Sequence, residues 1–135
     1  MPVIENRVSI ARQPPRSATR ITLAWTSDDA GNATVATADD VIGVLTRVAF
    51  APGAGGTQPT AAYDVTLTDT AGVDVLNGKG ADLSNTVPSH VHAAVPLPDG
   101  TTYGPCDVYG RLTIKVSGAG PGKTGVCVLN VVSRS

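Results

Sequence analysis

Arg20-Ile-Thr-Leu-Ala-Trp-Thr-Ser-Asp-Asp-Ala-Gly-Asn-Ala-Thr-Val-Ala-Thr37 decides the fold class. Ile21, Leu23 and Trp25 alternate with Thr22, Ala24 and Thr26, the period of two that turns one side of a strand to a core and the other to the surface. Ser27 to Asn32 is turn chemistry: short polar side chains hydrogen-bond their own backbone, and Gly and Asn tolerate left-handed geometry. Ala33-Thr-Val-Ala-Thr37 then resumes the alternation. A β-hairpin is expected, with Trp25 as a core anchor.

The same pattern recurs along the chain. In Gly43 to Phe50, Val44, Thr46, Val48 and Phe50 fall on one face of an expected strand and Leu45, Arg47 and Ala49 on the other. Tyr63-Asp-Val-Thr-Leu-Thr68 alternates most cleanly, and Val73 to Leu76 continues it after an Asp69–Gly72 turn. His90 to Pro98 is punctuated by proline, which suits an edge strand because proline cannot donate to a ladder. Within Tyr109 to Val116, Leu112, Ile114 and Val116 oppose Arg111, Thr113 and Lys115. Gly125 to Val132 is almost entirely apolar or β-branched, the mark of a central strand buried on both faces. Asn77 to Gly80 and Asp82 to Thr86 leave room for one short helical turn. Ala51 to Thr60 lacks periodicity and holds Pro52, Gly53, Gly55 and Gly56, so it is expected to be a long surface loop. Val3 to Ala11 alternates weakly before Pro14-Pro15 interrupts regular structure. The expected fold is all-β, an antiparallel β-sandwich or jelly-roll-like barrel over residues 20–135, led by an extended N-terminal arm over residues 1–19.

Composition agrees. Of 135 residues 16% are charged, well under the roughly 25% of an average soluble domain, while Gly 15 and Pro 10 supply turns. A hydrophobic fraction of 41% is too high for a disordered chain. With one Trp and one Phe, the core must be built from Val, Leu, Ile and Ala, and an aromatic ligand pocket is not expected. No run approaches the roughly 20 apolar residues of a membrane span. Met1 to Arg7 has no apolar stretch behind a basic start, so a cytosolic product without membrane insertion is expected. Cys106 and Cys127 form neither a CxxC nor a four-ligand zinc set. They are expected to be reduced thiols, Cys127 at least buried, with a disulfide as the alternative.

Charge is unevenly distributed behind a net value of −1. Residues 1–20 set Arg7, Arg12, Arg16 and Arg20 against Glu5, whereas residues 21–107 set ten Asp against Arg47 and Lys79. The C-terminal part is basic again, with Arg111, Lys115, Lys123 and Arg134. Four arginines without interleaved aromatics are a thin footprint for nucleic acid. Docking of the arm on a protein is expected instead, and no nucleic-acid partner.

Ser117-Gly-Ala-Gly-Pro-Gly-Lys-Thr124 resembles the phosphate-cradling G-x-x-x-x-G-K-[ST] loop, but Ser117 replaces its first Gly. Such a loop must also open into a helix whose N-terminus faces the anion, whereas Gly125-Val-Cys-Val-Leu is a strand former. A flexible hairpin between two strands is expected. His90-Val-His92 places two imidazoles on one side of an extended segment, which holds zinc only if further ligands arrive from elsewhere. Asp28-Asp29 and Asp39-Asp40 do not fit the calcium-loop pattern and are expected to make turns and caps. No G-x-S-x-G elbow frames a catalytic serine. We expect no catalytic residue, no cofactor and no resident metal.

The runs Arg47 to Thr60, Tyr63 to Asp69 and Gly72-Val-Asp-Val-Leu-Asn-Gly-Lys-Gly-Ala-Asp-Leu-Ser84 resemble small virion proteins of tailed bacteriophages. With the Trp25 strand before them and the Lys123-Thr-Gly-Val strand after, the likeness extends over residues 20–132. In size and character the chain is most similar to capsid cement, or decoration, proteins. The resemblance implies a β-sandwich bound outside the shell of major capsid protein, a location on the virion exterior after assembly in the bacterial cytoplasm, and no enzymatic activity. Arg7, Arg12 and Arg16 of the arm, Pro52 and Gln58 of the long loop, and His90 and His92 are the expected contact residues. A symmetric homo-oligomer is expected, dimer before trimer, since an icosahedral partner and exposed sheet edges favour one. The alternatives are a head–tail connector or tail-associated protein, and a host-surface or glycan-binding module, for which exposed aromatics are scant.

Overall fold

A computed structural model describes residues 4–11, 17–96, 98–99 and 101–132. Its elements are strands β1 (Ile4–Ala11), β2 (Ser17–Thr26), β3 (Ala33–Ala36), β4 (Val41–Pro52), β5 (Asp64–Thr68), β6 (Ser89–His92), β7 (Ala94–Pro96), β8 (Tyr103–Gly110), β9 (Thr113–Ser117) and β10 (Thr124–Val132), with one 3₁₀ turn at Gly55–Thr57. They form two antiparallel sheets, a β-sandwich. The larger runs β1-β2-β10-β4-β8-β7, with β6 continuing the β8 side along the second half of β4; the smaller runs β3-β9-β5.

The core lies between the sheets. Ile21, Leu23 and Trp25 of β2 join Cys127, Leu129 and Val131 of β10, and Leu45, Val48 and Phe50 of β4, on the inner face of the larger sheet. Val35, Val65, Leu67, Ile114 and Val116 meet them from the smaller one. The rings of Trp25 and Tyr63 approach to a centroid distance of 5.7 Å at a 49° tilt, a favourable aromatic geometry. Val75, Leu76 and Leu83, from the excursion between β5 and β6, are buried in the same core.

Several local expectations change for one reason: the edges they needed are occupied. Residues 20–37 are not a hairpin. β2 is paired on one side with β1 and on the other with β10 (Thr26 opposite Thr124), so β3 crosses to the smaller sheet and pairs with β9. Ser117 to Thr124 is likewise a crossover between sheets, because β3 and β5 flank β9 while β2 and β4 flank β10. Tyr109 and Val116 belong to different strands: the chain leaves the larger sheet at Gly110 and re-enters the smaller one at Thr113. Residues 77–86 form turns without a helix, and the single helical turn among the described residues sits in the Gly55–Thr57 loop.

In β4 the register shifts against β10, so that Asn130 faces Arg47 and the next residue, Val131, faces Leu45. This bulge turns Leu45, Val48 and Phe50 into the core and leaves Thr46 and Arg47 together outside. Strict alternation assigns Leu45 to the wrong face because a bulge inserts one residue into the period. The described part of the N-terminal segment, Ile4–Ala11, pairs with β2 along its whole length, Arg7 standing opposite Ile21.

Candidate interaction surface

Polar side chains in the turns hold backbone. Asp28 accepts the N–H groups of Ala30 and Asn32, Asp69 those of Ala71 and Val73, and Asp64 that of Asp82. Asp74 accepts three, from Leu67 and Leu76 at one oxygen and from Gly78 at the other. Asp99 accepts Thr101 and Thr102 N–H and the Thr102 hydroxyl, which hold its carboxyl down at about 2. The turn role expected of the acidic pairs is met by Asp28, and Asp39 takes part through its carbonyl, which accepts the Thr37 hydroxyl.

One end of the sandwich is tied together in the same way. Buried Ser27 donates its hydroxyl to Gly120 O and accepts Lys123 N–H at 2.8 Å. Thr60 N–H donates to Ala119 O, Lys123 Nζ to Gly56 O, and Asn85 Nδ2 to Pro59 O. Gly31, at φ +83°, lies so close to the crossover that an added Cβ would come within 2.8 Å of Gly120 N. The glycine-rich segment 117–124 is thus fastened to the 53–60 loop, which is itself fastened to residues 84–88. The expected contact residues Pro52 and Gln58 are both half-buried at this end.

His90 and His92 are exposed on β6, opposite Ala49 and Arg47 of β4. Among the described residues no group of three or more His, Cys, Asp or Glu side chains is placed to hold a metal ion. Arg12 and Arg16 lie outside the described residues, and Arg7 is described only in its backbone register on β1. Pro52 ends β4 and Gln58 lies in the loop that follows, while His90 and His92 stand on β6 beside β4.

Both cysteines are free and buried. Burial pushes the Cys127 thiol up to about 12. Burial, and then the charges of Asp107 and Asp69, raise that of Cys106. Thiols held protonated in this way are poor nucleophiles.

The two outer faces differ in chemistry. On the smaller sheet it carries Thr34, Lys115 and Thr66 in one row, with Asp64, Thr68, Thr113 and Ser117 around them. On the larger sheet successive rows read Ala24–Val126–Ala51, Thr22–Val128–Ala49–His90, Arg20–Asn130–Arg47–His92 and Ala18–Val132–Val44–Asp107. The next cross-strand pair, Ile42 and Tyr109, is 61% and 76% exposed. Sequence reasoning missed this face because it took the apolar run Gly125–Val132 as a strand covered on both sides. In the structure Val126, Val128 and Val132 are only half-buried.

Neither a protein-family model nor a curated protein matches the chain.

Proposed function

We propose that the protein is a non-enzymatic bacteriophage capsid cement that binds the outside of the major capsid protein shell and stabilises it against internal DNA pressure. One observation carries this reading beside the resemblance of residues 20–132 to phage virion proteins. The carboxylates of Asp28, Asp64, Asp69, Asp74 and Asp99 are engaged with backbone N–H groups, so the acidic residues serve to stiffen turns of a small sandwich. A stiff unit with fastened loops suits a molecule whose task is to span joints between subunits, since little ordering entropy is lost when it docks.

The mechanism is linkage. A ligand that binds the assembled shell and not its free subunits stabilises the shell by about 2.7 kcal/mol per site at a hundredfold excess over Kd. Contact runs through the arm with Arg7, Arg12 and Arg16, the Pro52 and Gln58 loop end, and His90 and His92. The arm contributes electrostatic attraction that weakens with salt.

Quantitative mass spectrometry of purified virions tests this reading through the copy number of the chain relative to major capsid protein. Hundreds of copies per particle are expected. A dozen or fewer would move the protein to the connector or tail, and absence from the particle would overturn the virion reading.

A further inference from the structure

Asn77-Gly78 is the single Asn-Gly pair of the chain; Asn6, Asn32, Asn85 and Asn130 precede Arg, Ala, Thr and Val. The pair sits at the centre of a tight turn. Lys79 N–H donates to Leu76 O at 3.0 Å, and both central residues have left-handed φ, 52° at Asn77 and 80° at Gly78, as a type I′ turn requires. Space does not demand the glycine, since a Cβ at 78 would meet nothing within 4 Å; the positive φ does. Asn77, Gly78 and Lys79 are exposed to solvent. Side-chain bonds hold the turn in place. Asp74 Oδ2 accepts Gly78 N–H at 3.0 Å, and Asn77 Nδ2 donates to Ala94 O of β7 at 3.0 Å. Lys79 Nζ reaches His92 O of β6 at 3.3 Å.

We propose that Asn77 is a modification site of this chain, a site of spontaneous deamidation whose rate is set by Asp74. The backbone nitrogen of Gly78 attacks Asn77 Cγ, its proton passes to solvent, and the Cγ–Nδ2 bond breaks with loss of ammonia, closing a five-membered imide. Water then opens the imide. Addition at Cγ leaves aspartate, whereas addition at the backbone carbonyl leaves an isoaspartyl linkage, with the main chain routed through Cβ and Cγ. In either product one nitrogen has left as ammonia and one oxygen has come from water. Glycine permits the attack because no side chain crowds its nitrogen. The folded turn slows it: Gly78 N–H is held by a carboxylate whose negative charge opposes loss of that proton, and the Asn77 amide is anchored on Ala94 O. Both bonds must open before the nitrogen can reach Cγ. Reaction at Asn77 replaces an amide donor by a carboxylate facing the Ala94 carbonyl, acceptor against acceptor, and so releases the turn from β7. The chemistry is independent of any partner and of the capsid reading.

Incubation of the full chain at about pH 8.5 and ~37 °C, with peptide mapping by mass spectrometry for ammonia loss and isoaspartate, is the test. Asn77 is expected to convert before every other asparagine. Asp74→Ala should raise the first-order rate at Asn77 at least tenfold. Asp28→Ala, which takes an equivalent turn carboxylate from the N–H groups of Ala30 and Asn32, should leave that rate unchanged. Because Asp74→Ala also weakens the fold, Gly125→Ala, which overpacks against Trp25, is the control for lost stability and should leave Asn77 at the wild-type rate. Conversion first at another asparagine, a rate in Asp74→Ala equal to that of the wild type, or an equal acceleration in Gly125→Ala overturns the proposal. A slower reaction in Asp74→Ala also overturns it, and makes the carboxylate the base that takes the Gly78 proton.

Discussion

Gly125 lies directly against the indole of Trp25, its register partner across β2 and β10: a Cβ there would stand 2.4 Å from Trp25 Cζ2 and 2.8 Å from Nε1. The ring occupies the space that a side chain at 125 would need, and it also meets the ring of Tyr63. Gly125→Ala should therefore destabilise the protein by about 1–3 kcal/mol through overpacking. Urea unfolding followed by far-UV circular dichroism, a probe that the variants lacking Trp25 retain, measures it. Trp25→Leu in the Gly125→Ala background should cost less than the sum of the two single changes, since the residues share one space.

Asp74 joins β5 to the turn that follows it by accepting N–H groups from Leu67, Leu76 and Gly78. Removing the charged acceptor leaves the part-buried N–H groups of Leu67 and Leu76 unsatisfied, at a cost of about 1–3 kcal/mol, while the exposed Gly78 N–H turns to water. Asp74→Ala should lose that much in denaturant unfolding, and Asp74→Asn less, since an amide oxygen retains part of the set. Increased amide exchange at Leu76 and Gly78 would localise the loss.

The buried thiols predict alkaline lability. Cys127 ionises near 9 in the unfolded chain and near 12 in the folded one. Its protonated form is therefore favoured by folding: the stabilisation is complete below about pH 9 and falls as pH rises toward 12. Cys127→Ala should flatten stability measured between pH 9 and 11. Neither thiol should react with a disulfide reagent at pH 8 until the protein is unfolded.

Asp99 has its carboxyl lowered to about 2 by hydrogen bonds from Thr102 and Thr101. The direction is opposite to that of Cys127: the turn is favoured above the ordinary carboxylate range near 4, and the advantage is lost as pH falls through about 2. The carboxyl carbon shift of Asp99 should titrate near 2 in the wild type. Thr102→Ala, which removes the side-chain donor, should move the midpoint up toward 4.

Alternation alone put Trp25 in the core and Ile21 and Leu23 on its face, and it put Tyr63, Val65 and Leu67, and Ile114 and Val116, on shared faces of their strands; all are buried. It also marked Gly125–Val132 as central, which β10 is, between β2 and β4. These features were legible because side-chain period and turn chemistry are local. The candidate surface was less so. His90 and His92 stood out by residue type, whereas Ile42, Val44 and Tyr109 come together only through the pairing of β4 with β8.

Sequence by itself therefore determined that this protein is an antiparallel all-β sandwich with Trp25 in its core, since a period of two needs no knowledge of neighbours. Tertiary structure decided which strands share a sheet, because β9 and β10 each have only two edges and both are filled by strands distant in sequence, while β2 has its edges filled by the preceding β1 and by β10. It also decided where the period slips, at the bulge opposite Asn130. Finally, it decided that the apolar run of β10 has one face in the core and one only half-buried: a strand's own residues state how apolar each side is, but only packing of the other sheet selects the side that is covered.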